Sequence, residues 1–322
     1  MTTDILTVNK DSDVVENNTY KLSEIDNHLS NGLSLTALFT DISWYNEILA
    51  KTILLSSHFS IDRGARPGAN EFTYPRGSYK IEKDFLTPLI KESKKASTLY
   101  IEPDSVAFTC YESRESLKNN KKTGALAWID KYENARDENG KLIRERINDY
   151  RDEWYQVNYP ETKADIVIMI NPGKRLSSFI VKTQNCIIDQ RFVKFYKNEN
   201  RKDIPIFHAL MNSVFTMFSI ESIGFGRGDC VLDLSETNIK SKLRILNPDL
   251  LSEENKKSIL EAFKPLLERR VYNVDEELDQ EDRIEFEKVV FESFGIPELR
   301  EKVTKSLKKM VSIRHSPKMK PT

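Results

Sequence analysis

Three kinds of residue in this sequence could do chemistry: histidines with cysteines and carboxylates, glycine-rich turns, and arginine-bearing loops. The four histidines (His28, His58, His208, His315) lie in unrelated regions, and no HExxH or HxH spacing pairs two of them. A serine or cysteine nucleophile would therefore need a base brought from afar. Cys110, Cys186 and Cys230 are isolated and odd in number. They make neither a disulfide framework nor a CxxC zinc pattern, and they fit a reducing cytoplasm. Folding could gather Asp62, Glu71, Asp104 and Asp233 around a metal, as an independent metal-dependent hydrolase would need. No local pattern assigns a catalytic, cofactor-binding or metal-binding residue.

The glycine-rich turns each depart from a known phosphate or cofactor loop. Gly64-Ala65-Arg66-Pro67-Gly68 lacks the Gly-Lys-Ser/Thr of a P-loop. Gly224-Phe225-Gly226-Arg227-Gly228 follows a helix, whereas nucleotide sites place their glycines between a strand and the next helix. Asp165 to Ile170 reads as a strand that ends at Asn171-Pro172-Gly173-Lys174. An Asn-Pro-Pro-Tyr turn at that place would hold a flipped adenine, but the stacking aromatic is missing here. No cofactor is therefore expected in this chain.

The arginines point to recognition of an anion. Arg63, Arg66 and Arg76 sit among glycines and Asn70, where a guanidinium can fork onto phosphate or a guanine edge and an asparagine onto adenine. A second basic group comprises Lys174, Arg175, Lys182, Arg191, Lys194 and Lys197, and Arg227 lies between two glycines. The total charge hides this segregation. The 322 residues hold 49 Lys and Arg against 50 Asp and Glu. Residues 1–60 carry eight acids and three bases, residues 174–202 eight bases and two acids, and residues 249–301 sixteen acids and eight bases. Residues 302–322 carry seven bases and no acid. A nucleic-acid binder needs a local positive surface, not a basic total.

The elements that must position these groups follow from hydrophobic spacing. Residues 1–19 read as a loose polar leader. Residues 37–55 form an approximate helical stripe in which Ile42, Trp44, Tyr45, Ile48 and Leu49 serve either as core or as a face for a partner. Short strands are expected near residues 59–61, 72–74, 99–101, 106–110, 164–170, 179–181, 192–196 and 243–246. Residues 133–150 read as a charged insert or mobile loop. Pro205 opens one long helix to about Ile223, and helices follow at 252–270, 279–294 and 298–312. The sum is an α+β chain: a leader and docking helix at 1–55, a mixed strand-rich recognition body at 56–248 and a helical region with a basic tail at 249–322. It lacks the regular βαβ alternation of a doubly wound Rossmann sheet. No run reaches the roughly 18 apolar residues of a membrane span, and the acidic start is unlike a secretory signal, so a cytoplasmic protein is expected.

In combination these segments resemble the C-terminal target-recognition region of DNA adenine-N6 methyltransferases, including those fused into restriction-modification enzymes. The resemblance runs in order through Gly64 to Phe72, Ile81 to Ile90 (with Pro88-Leu89-Ile90), Ala125 to Tyr132, Arg151 to Tyr155, Leu210-Met211-Asn212-Ser213 and Gly224 to Gly228, then Asn238 to Pro248 and Leu278 to Gly295. It implies a module that reads double-stranded DNA through Arg63, Arg66, Asn70, Arg175, Arg191 and Arg227. It also implies that S-adenosylmethionine is carried by a catalytic partner, this chain being a detached recognition subunit, a separated half of a larger enzyme or a fragment, because only about 50 residues precede the region and neither a cofactor segment nor Asn-Pro-Pro-Tyr is present. Two other readings stay open: a non-catalytic assembly or inhibitory protein that binds such a partner without reading DNA, and the hydrolase above.

Overall fold

The computed structural model describes residues 2–8, 14–92, 96–160, 163–197, 201–228 and 231–315. Cys230 and the tail lysines Lys318 and Lys320 lie outside them. The β-branched run Ile166–Met169 is buried along most of its length and forms the middle strand of a five-stranded sheet. The strand order is Ser60–Arg63, Phe192–Tyr196, Ile166–Met169, Ser178–Val181, Tyr100–Ile101. Its pairings are antiparallel except the last. A three-stranded sheet orders Ile187–Ile188, Leu86–Ile90 and Ser105–Phe108. After Ile187–Ile188 the chain enters the larger sheet again by a short step of three residues, Asp189, Gln190 and Arg191. Among the described residues, three two-stranded ribbons and a set of mostly short helices complete an α+β fold with no Rossmann-like sheet.

Packing divides the chain differently from the expected segments. One core joins residues between Leu33 and Ile61, the large sheet, and helices out to Val311. A second core holds Phe72, Phe108, Trp128, Tyr132 and Tyr155. The charged stretch 133–150 supplies Ile143 and Ile147 to that second core, so it is no loose insert. The polar leader is paired as strands Thr2–Val8 and Val14–Lys21. Phe72 lies in a short helix, Asn70–Thr73, and not in a strand.

The docking stripe is core. Ile42, Trp44, Tyr45 and Ile48 are buried, and Leu49 packs against the same cluster. The Trp44 ring lies 4.9 Å from that of Phe218, and its Nε1–H donates to the Asp41 carbonyl at 2.8 Å and to Ser306 Oγ at 3.1 Å. Ile42, Trp44, Tyr45 and Ile48 have thus left water inside the larger core, and Leu49 is half-buried beside them.

The expected helix from Pro205 to Ile223 is two helices, Ile204–Met211 and Val214–Ile223, bent by 66°. No single helix among the described residues is long and apolar enough to cross a membrane, and this bent pair is core. Ser213 caps the second helix by accepting from Thr216 N–H. A break inside a core strands backbone groups that need partners. Here the Asn212 carbonyl accepts from Arg283 at 2.6 Å, and the Val214 N–H donates to Glu287 at 2.9 Å. Arg283 also bonds Glu277 at 2.7 Å and Glu287 at 3.1 Å, with Arg269 on the far side of Glu277. Burial alone would raise the Glu277 pKa, but Arg269 and Arg283 hold it below the usual carboxylate value.

His208, fully buried on the first helix, has its Nε2 3.0 Å from the Ser178 carbonyl. A carbonyl only accepts, so Nε2 carries a proton. Burial pulls its pKa down to about 4. As pH falls below about 6.5 the unfolded chain takes up a proton that the folded chain refuses until about 4, so stability is lost across that window. Glu287, lifted by burial to about 7, has the opposite slope, so the effect is read as a difference between proteins. His208→Gln keeps an N–H donor and does not titrate. Urea unfolding of the wild type should weaken relative to this variant by about 1 kcal/mol per pH unit between pH 6.5 and 4. A pH-independent difference would contradict the assignment.

Candidate nucleic-acid interface

The step between the two sheets brings the arginines together. Gly64 N–H donates to the Phe192 carbonyl at 3.0 Å and Ala65 N–H to the Ile188 carbonyl at 2.7 Å, so the loop after Ser60–Arg63 lies along residues 188–192. Only glycine permits this approach: a Cβ on Gly64 would fall 2.1 Å from the Asp189 carbonyl oxygen. Arg63 Nε then donates to the Gln190 carbonyl at 2.9 Å. The loop is braced from its other side. Asn148 donates to the Arg66 carbonyl, Arg146 pairs with Glu71 at 2.5 Å, and Gly68, at φ +91°, passes close under the Arg146 carbonyl.

Asp189, 1% exposed, sits at the centre. Burial raises its pKa even though it accepts from Arg191 N–H at 3.0 Å and has Arg191 Nε at 3.6 Å. Lys91 is buried beside it, with Nζ 4.9 Å over the Tyr74 ring. Burial first, and then the positive charges of Arg76 and Arg191, push the Lys91 pKa down. Arg63 is likewise lowered by burial and then by Arg66. Arg63, Lys91 and Arg191 thus share one buried carboxylate, with Arg66 acting on Arg63 and Arg76 on Lys91, while the carboxylates Asp233 and Glu236 act on Arg63 and Glu92 on Lys91. Arg66, Arg76 and Arg191 are exposed. Cations that depress one another are relieved by an incoming anion, so the arrangement suits phosphate.

Other expected contacts lie elsewhere or are occupied. Lys194 is 2% exposed in the strand between Ser60–Arg63 and Ile166–Met169, too deep to meet a phosphate. Lys197 is also enclosed, its side chain 9% exposed and its Nζ 4.6 Å over the Phe207 ring. Arg175 donates to the Ala96 and Val271 carbonyls and ties loops together. Lys174 is exposed, and Lys182 is exposed but lies over Tyr100, 3.6 Å from Glu102. Asn70 is half-buried at the start of its short helix. The Arg227 side chain lies outside what is described. Lys91, which no motif singled out, is the addition.

The carboxylates suggested for a hydrolase hold separate structural posts. Asp62 accepts from Tyr196 and lies 3.6 Å from Lys240, while Glu71 pairs with Arg146. Asp104 accepts from the Lys91 and Glu92 N–H groups, and Asp233 accepts from Asn171. Among the described residues no three His, Cys, Asp or Glu side chains gather as a metal site would require. Asn171, where an adenine-binding turn would begin, instead donates to the Leu232 carbonyl at 3.3 Å and to Asp233 at 2.9 Å. It staples the root of the ribbon formed by Phe225–Gly228 and Val231–Asp233.

The sequence matches no family model and no curated protein. The α+β fold is similar to part of a solved restriction endonuclease of type IIG. That structure is BpuSI, with a TM-score of 0.61, 16% sequence identity and 93% of this chain covered. The match spans 36% of the BpuSI chain.

Proposed function

We propose that this chain is a recognition module of a restriction-modification system that reads double-stranded DNA and positions a separate catalytic subunit, an adenine-N6 methyltransferase or nuclease. The observation that carries the reading is the group of Arg63, Lys91 and Arg191 at buried Asp189, extended by Arg66 beside Arg63 and Arg76 beside Lys91. The fold likeness to about a third of BpuSI supports the same system. In this reading Arg191 and Arg76 hold phosphates, and exposed Arg66, on its braced loop, reaches a base edge. The chain binds no cofactor, and the catalytic partner carries S-adenosylmethionine and flips the adenine.

The test is selection from a randomised duplex library at low salt, followed by a salt titration of the recovered sequence. Affinity should fall linearly in log–log form as salt rises. Arg191→Ala should reduce that slope by about one and weaken all sequences alike. Arg66→Ala should relax preference at one base pair by about 1–3 kcal/mol. Retention of no duplex, or retention indifferent to salt, would overturn the reading.

A further inference from the structure

Across the ribbon from Asp233, which acts on Arg63, stands a large and mostly exposed apolar side chain. Phe225 is 70% exposed, more than any other large hydrophobic side chain among the described residues. Such a side chain forfeits burial in the free protein, and an aromatic near cations is suited to a base. Its position is defined. Phe225 pairs across the ribbon with Asp233, the carboxylate that borders Arg63. The ribbon's root is held firmly: Asn171 bonds Leu232 and Asp233, Asn238 donates to the Ile223 carbonyl at 3.1 Å, and Leu234 N–H donates to the Ile170 carbonyl at 2.9 Å. Gly224 lets the Leu232 side chain close over the root, where a Cβ would lie 2.4 Å from Leu232 Cδ1. Exposed Val231 on the paired strand extends the apolar surface.

We infer that Phe225 inserts against a base step of the duplex whose phosphates the arginine cluster holds. A rigid root carries the ring to the stack, the neighbouring cations fix the backbone, and the phenyl group replaces the stacking partner that the opened base loses. This rests on the DNA-reading function above and assigns the wedge within it.

The experiment uses the full chain and the duplex recovered from the library selection, with 2-aminopurine placed at each adenine in turn. With the wild type, emission should rise severalfold at one position, where the base leaves its neighbour. Phe225→Ala should abolish that rise and weaken binding by roughly tenfold to a hundredfold, while leaving the salt slope unchanged because no phosphate contact is lost. Phe225→Trp should restore affinity. Circular dichroism should be the same for all three, since the side chain is exposed. If Phe225→Ala binds the duplex as the wild type does with the emission rise intact, the wedge is overturned while DNA reading stands, and the ring then serves a protein partner. If the wild type retains no duplex, the DNA-reading function itself fails and takes the wedge with it.

Discussion

Substituting Arg283 with methionine is expected to lower the unfolding free energy by about 3–5 kcal/mol, the cost of breaking a buried ion network by removing one member. Methionine fills most of the volume but leaves the Asn212 carbonyl and Glu287 without the guanidinium, at the break between Ile204–Met211 and Val214–Ile223. Glu277 keeps Arg269, so the damage concentrates on Glu287. Burial already holds the Glu287 carboxyl near 7, and losing Arg283 drives it higher. A carboxyl raised in the folded state contributes stability at low pH that is lost as pH rises through its folded value. The variant should therefore be more impaired at pH 8 than at pH 5, as measured by urea unfolding. Adding Glu287→Met, which removes the stranded charge, should recover part of the loss. A loss under about 1 kcal/mol at pH 8 would show that the network is peripheral to stability.

Gly64→Ala should be nearly as costly, at about 3 kcal/mol or more, because the collision is between backbones and no rotamer can relieve it. The new methyl would meet the Asp189 carbonyl, so the loop must swing away and give up the bonds from Gly64 and Ala65 to residues 192 and 188. Arg63 and Arg66 would move with it, so duplex retention should fall at least about tenfold beyond what instability explains. Gly295→Ala is the control. Its φ of +68° strains alanine, but the space around it is open and it lies away from the arginines, so a loss of about 1–2 kcal/mol without change in binding is expected. Thermal unfolding separates the cases, and equal melting points for Gly64→Ala and Gly295→Ala would refute the close-approach argument.

What could be read from the sequence was local. The runs at 166–169 and 192–196 announced strands because continuous β-branched and aromatic residues suit a sheet covered on both faces. The turn chemistry around Gly64 and Gly68 marked a loop held in close approach, and Arg63, Arg66 and Arg76 on it were visible. What stayed hidden depended on partners distant in the chain. Lys91 follows a strand with no pattern around it, and only the parallel pairing of Ile187–Ile188 with Leu86–Ile90 brings it to Asp189. Lys194 and Lys197 looked like a basic face, but the long apolar stem of lysine lets it lie inside a sheet and over aromatic rings. The stripe at Trp44 has the same spacing whether it meets a neighbouring helix or another protein, so spacing could not separate core from docking face. The helix break was signalled by Asn212-Ser213, a capping pair inside an otherwise unbroken apolar run, and was overridden by that run.

Trp44 donates to Ser306 across 262 residues of chain. At a ribosomal pace of roughly 5–20 residues per second, that half of the contact waits on the order of 10–50 seconds for the other to be made. Until Phe218 emerges, and then Ser306, the tryptophan and its apolar neighbours lack part of their native cover, which makes this stretch a natural client for a chaperone on the nascent chain. The second core, closed by residues 69–157 alone, can set first and leave the larger one to be completed when the last helix leaves the exit tunnel.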